Sequence, residues 1–197
     1  MPASARKIVP EDLIPDAAFR AERSQRRAAL LPRKKLRRID LGPHATAYFE
    51  TYETMLFQVQ EMLLIEKGGA AQVPDELAAY NPLIPQGREL VATVMFEIDD
   101  PLRRSNILAR LGGVEDHFFV QIGESRSAGE QEGDIERTRE DGKTSSVHFL
   151  RFPLTDAQTA AFRDPTVSVM FACDHPLYDH RAVLSAATRE ELASDLA

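Results

Sequence analysis

A chain of 197 residues is long enough for one domain with an appended arm, and 43% apolar against 28% charged residues argues for a packed core rather than disorder. No apolar run approaches the roughly 18 residues that span a bilayer, and the start MPASARKIVPEDLIPD lacks a secretory core. The single cysteine, Cys173, excludes an internal disulfide, so a cytoplasmic setting without membrane attachment is expected.

The net charge of −7 is unevenly spread. Residues 1–38 carry 11 Lys/Arg against 4 Asp/Glu, and the remainder carries 13 against 27. We therefore divide the chain into a basic helical arm, residues 1–38, and a single α+β domain, residues 39–197. PEDLIPDAAFRAERSQRRAALL predicts one or two helical segments with a thin apolar stripe, ended or kinked by Pro32. Such a stripe needs a surface to cover it, either the chain's own body or a second copy in a homodimer. RRIDLGPHATAYFE predicts two short strands about Gly42-Pro43-His44.

TYETMLFQVQEMLLIEKGG predicts a helix capped by Thr51 or Thr54 and stopped at Gly68-Gly69. Its apolar positions cover more than half the circumference, so it is read as a buried central helix on which Gln58, Gln60 and Glu61 need polar partners. VPDELAAY predicts a short helix led by Pro74, and ELVATVMFEI a strand with Leu90, Ala92, Val94, Phe96 and Ile98 on one face. Asp100-Pro101 opens a further helix, HFFVQIG is a strand, and ESRSAGEQEG reads as a mobile polar loop. Asp141-Gly142 between extended runs signals a hairpin. Thr155 with Gln158, and Thr188 with Glu191, predict capping boxes of two late helices, with TVSVMFA the last strand between them. The whole predicts an α+β fold: an antiparallel or mixed sheet of five or six strands, with helices mainly on one face.

Three constellations carry candidate chemistry. After the last strand, FACDHPLYDHR crowds Asp174, His175 and His180 into one stretch. Two imidazoles and a carboxylate suit a transition metal with open positions, whereas the bland reading is a turn held by side-chain-to-backbone bonds. Cys173 beside them is a weaker nucleophile candidate, because buried thiols are usually inert. The second constellation is the helix face of Gln58 and Glu61, with Glu50 near it. A buried glutamate there would have a raised pKa, unless Glu61 simply pairs with an arginine such as Arg88. Tyr80, Asn81 and Arg88, in YNPLIPQGR, and His148, in SSVHFLRF, are the other ligand-binding candidates. The third is the arm itself, whose eight Lys/Arg from Arg23 to Arg38 invite a nucleic-acid backbone; nothing aromatic is interleaved for base stacking, which makes that partner the poorer choice.

Across AYNPLIPQGRELVATVMFEI, IERTREDGKTSSVHFLRFPLT and CDHPLYDH, and upstream in LGPHATAYFE and FQVQEMLLIE, the chain resembles the bacterial family catalogued as domain of unknown function 3501. The resemblance spans nearly the whole chain and carries no assigned catalytic residue. Members are often encoded near rubrerythrin-like and iron–sulfur proteins, which implies a redox or oxidative-stress partner. Gly-rich phosphate loops, nucleophile elbows, CxxC pairs and HExxH are all missing from the sequence. The reading that results is a non-catalytic accessory protein that binds a redox protein or a small-molecule ligand. Its alternatives are a metal-dependent enzyme or sensor, and non-specific nucleic-acid binding through the arm.

Overall fold

A computed structural model describes residues 6–131 and 142–197. Among these the order is α1 (Asp16–Leu36), β1 (Arg38–Leu41), β2 (Ala45–Phe49), α2 (Tyr52–Glu66), α3 (Val73–Tyr80), β3 (Glu89–Phe96) and α4 (Pro101–Leu108). There follow β4 (Phe118–Ile122), β5 (Ser125–Ala128), β6 (Glu130–Gln131), β7 (Val147–Pro153), α5 (Asp156–Arg163), β8 (Val169–His175), β9 (Tyr178–Val183) and α6 (Ala186–Ala193). The fold class is α+β, as the patterning predicts. No helix among the described residues is long and apolar enough to cross a membrane.

The sheet count differs from expectation. Two antiparallel sheets form, in the orders β1-β2-β3-β7-β6 and β5-β4-β8-β9. Three strands escape the sequence pattern because they lie at sheet edges, where polar side chains are tolerated on both faces. β5 and β6 occupy the segment read as a polar loop, and β9 occupies the segment read as a turn. Only Pro176 and Leu177 separate the paired residues His175 and Tyr178. Asp141 of the expected hairpin lies outside the described residues, and Gly142 adopts φ +80°.

Alternation along the strands makes two cores. Leu90, Ala92, Val94 and Phe96 face the second sheet, where Phe118 and Phe171 stack with ring centroids 5.9 Å apart. On the other face of the first sheet, Val91 packs with Met55, Val59 and Leu63 of α2. Thr51 caps α2, accepting from the Thr54 amide at 3.2 Å while the Thr54 hydroxyl accepts from the Thr51 amide at 2.9 Å. α2 is less enclosed than its composition implies, since Ile65 is 61% exposed. At α6 the cap is Ser185, three residues before the predicted Thr188, whose amide it accepts at 3.1 Å.

α1 lies along α2 on the chain's own body. Phe19, buried, meets Phe57 edge-on at 5.5 Å, and Arg23 forks onto Glu61 with both contacts at 2.6 Å. Pro32 sits within α1 and does not end it. A proline there removes one backbone bond, and the following turn is held instead by Arg33, which reaches Glu53 at 2.9 Å and Glu191 at 2.5 Å. Phe19 is thus covered by the chain's own body, whereas Ala17, Ala21, Ala28 and Leu31 of the same stripe stay exposed.

Candidate functional site

Where α2 leaves the first sheet, a chamber of about 360 Å³ opens. Its floor is the outward face of the strands, with Tyr48, Thr93, Met95, Val147 and Phe149. α2 supplies Thr54, Met55 and Gln58, α1 supplies Lys34 and Arg37, and the end of α3 and its following turn supply Tyr80 and Leu83. This face is polar at Thr93 for the reason that its strand neighbours are apolar: successive side chains alternate, and Ala92 and Val94 point into the inter-sheet core.

Glu50 is the buried acid of this chamber. It sits between β2 and α2, tied by its amide to the Val91 carbonyl at 2.8 Å, so its carboxylate is aimed inward by the strand-to-helix turn. One carboxylate oxygen accepts from the Thr54 hydroxyl at 2.7 Å and the other from the Thr93 hydroxyl at 2.8 Å. Burial pushes its pKa up from the ordinary value, against the opposing pull of both hydroxyls and of the Lys34 and Arg37 charges. The Tyr80 hydroxyl is likewise pushed up by burial, with Gln58 beside it. Walls of Met55, Leu83, Met95 and Phe149 with a few convergent polar groups, in a volume of this size, match the usual make-up of a small-molecule pocket.

Of the sequence candidates, Gln58 and Tyr80 therefore meet at the chamber, beside Glu50. The others do not join them. Glu61 pairs with Arg23, not Arg88, and this contact holds its carboxyl below the usual range rather than above it. Arg88 is exposed and faces Asp156 at 3.2 Å. Asn81 clamps the backbone of Ile8, accepting from its amide at 2.7 Å and donating to its carbonyl at 3.0 Å. Gln60 does the same for Ile14, at 2.8 and 3.3 Å. Both amides are anchors for the segment before α1.

His148 is turned away by the alternation of β7. Val147 and Phe149 line the chamber, while His148 is fully buried between the sheets, its ring 6.0 Å from that of Phe96 and its Nε2 2.9 Å from the Ser145 carbonyl.

The proposed metal set is separated by the same rule. Asp174 and His175 are adjacent on β8 and project to opposite faces. Asp174 is held by Arg126 at 2.7 Å and by His117 Nδ1 at 2.9 Å, which lower its pKa. The buried His175 accepts from the Leu177 amide at 3.2 Å, and burial depresses its pKa. His180 stacks edge-on against Tyr178 at 4.5 Å. Among the described residues no three His, Cys, Asp or Glu side chains gather to hold a metal ion. Cys173 is buried and its thiol is pushed up to about 11 by that burial, so it is not an active nucleophile at neutral pH.

Sequence reasoning missed Thr93, Tyr48, Thr54, Lys34 and Arg37 as chamber residues. One signal was present: a threonine on the outward face of the clearest strand, in line with the acid of FETYET.

A family model for proteins of unknown function, DUF3501, matches residues 7–196. No curated protein matches the chain. The fold is similar to the crystal structure of a novel protein of unknown function from Burkholderia pseudomallei K96243, with a TM-score of 0.89 and 34% sequence identity. That match covers 97% of this chain and 100% of the other. With the family model spanning almost all of its length, this chain belongs to the DUF3501 family.

Proposed function

We propose that this protein is a binding protein for a small organic ligand, held in the chamber beneath α2. The observation that carries the reading is the convergence of six separate segments on one hollow whose buried acid, Glu50, is met by hydroxyls rather than by an ion pair. A carboxyl in that position accepts hydrogen bonds from a ligand N–H or O–H, or donates one when protonated. The surrounding Met55, Met95 and Phe149 favour an apolar body around that polar group. The redox partner implied by the family resemblance is a separate proposal that this chamber does not support. Nucleic-acid binding through the arm is disfavoured because five of the eight Lys/Arg from Arg23 to Arg38 already face carboxylates of the chain itself.

The uncharged dye N-phenylnaphthylamine tests the chamber. It is expected to bind one per chain with enhanced emission, and Val147→Trp, which fills the floor, should abolish binding while circular dichroism stays unchanged. Equal dye binding by the wild type and this variant would overturn the reading.

A further inference from the structure

The chamber continues past its mouth into a groove of about 460 Å³ between α1 and α2, and the two hollows share Lys34, Tyr48, Thr54 and Gln58. On the α2 side run Phe57, Met62 and Ile65, and on the α1 side the successive Leu30 and Leu31. From Thr54 to Ile65 the helix advances about 16 Å. Two observations say what such a groove takes. The first is apolar surface left in water: Leu31 is 47% and Ile65 61% exposed.

The second is the pattern of charge pairing. Between Arg23 and Arg38, five cations are matched by carboxylates: Arg23 by Glu61, Arg26 by Glu22, Arg33 by Glu53 and Glu191, Arg37 by Glu191 and Asp195, and Arg38 by Asp40 and Glu97. Arg27, Lys34 and Lys35 have no carboxylate within ion-pair distance among the described residues, and all three line the groove. In a chain with 31 acids against 24 bases, those three line one groove beside its apolar side chains, and the Glu61 carboxylate on the same wall is taken by Arg23.

We propose that the groove binds a single dissolved amphiphile, an alkyl chain with one anionic head, carboxylate or phosphate. The head lies against Lys34 and Lys35, and the chain runs along Leu30, Leu31, Phe57, Met62 and Ile65. This rests on the chamber reading and adds charge and length to it.

Calorimetric titration with octanoate, decanoate, dodecanoate, decyl phosphate and uncharged decanol, all below micelle-forming concentrations, tests it. Binding of one anion per chain is expected, tightening roughly threefold per added methylene until the groove is filled. Decanol should bind roughly tenfold more weakly or worse, for want of the charge-assisted contacts. Lys35→Gln, at an exposed position that lines the groove and not the chamber, should lose a large part of that factor for decanoate and keep its affinity for the uncharged dye. Leu31→Asn should flatten the dependence on chain length. Equal affinities for decanol and decanoate, or no effect of the lysine variant, would overturn the proposal. So would binding confined to anionic vesicles or to an acidic helical peptide. Dye binding retained without decanoate binding sinks this inference alone, whereas loss of both sinks the chamber reading as well.

Discussion

Glu50 is an acid whose surroundings favour its neutral form, and this has a measurable sign. Its folded-state pKa is raised by burial, so the folded chain holds this proton over a pH range in which the unfolded chain has lost it. Its contribution to stability is therefore fully present below the unfolded-state value and is lost as pH rises through the folded-state value. Glu61 and Asp174, with lowered pKa, act in the opposite sense, but they are common to the wild type and a Glu50→Gln variant and cancel in the difference. Urea unfolding of both proteins should show the wild type gaining on Glu50→Gln as pH falls from about 7.5 to 5, by at most about 1.4 kcal/mol per pH unit. A difference that does not move with pH would mean that Glu50 titrates as an ordinary carboxyl. Arg37 makes a second case. It lies in the basic run RKKLRR, yet it is 1% exposed. It donates to the carbonyls of Phe49 at 2.9 Å and Glu50 at 3.0 Å, and it pairs with Glu191 and the buried Asp195. Arg37→Met should cost about 3–5 kcal/mol because it leaves the buried Asp195 carboxyl and two backbone carbonyls without their partner in the interior. Adding Asp195→Leu should recover much of that loss in urea unfolding, and simple additivity would show that the two residues act separately.

Among elements, α1 decides whether the cleft exists, because it forms one wall of the groove and carries Lys34 into the chamber. Its hold on α2 combines one buried aromatic with exposed charge pairs, and the two are not of equal weight. Phe19→Ala should cost about 3–5 kcal/mol and strip amide protection along Asp16–Leu36 in hydrogen exchange. Arg23→Ala should leave that protection nearly unchanged, since the Arg23 side chain is 44% exposed and its pairing is screened by water. If Arg23→Ala released the helix and Phe19→Ala did not, charge would be the anchor. The same helix shows why Pro32 misleads. Its local cost is real, but the turn after it is tied to α2 and α6 by Arg33 and Arg37, and those partners lie far along the chain. Likewise β5, β6 and β9 are strands by pairing rather than by composition, each hydrogen-bonded to a strand the pattern already revealed.

For the molecule as a whole, two sheets enclose one core, and a second core lies under α2 on the outer face of the first sheet. The candidate cleft sits beside that second core, where α1, α2 and the sheet meet. Local rules written into neighbouring residues were enough for the α+β class, the helix caps at Thr51 and Thr155, the strand face of Leu90 to Phe96 and the turn at Gly42. They also drew attention to Gln58, Tyr80 and Glu50. Tertiary structure alone decided that Glu50 meets Thr93, that Arg37 is buried against Asp195, and that His148 turns away from the chamber. It also parted Asp174, His175 and His180. The reason is physical: periodicity and capping act over a few residues, whereas these outcomes depend on which strands pair and in which register. A single step of register exchanges the two faces of a strand, and with them the residues that line a site.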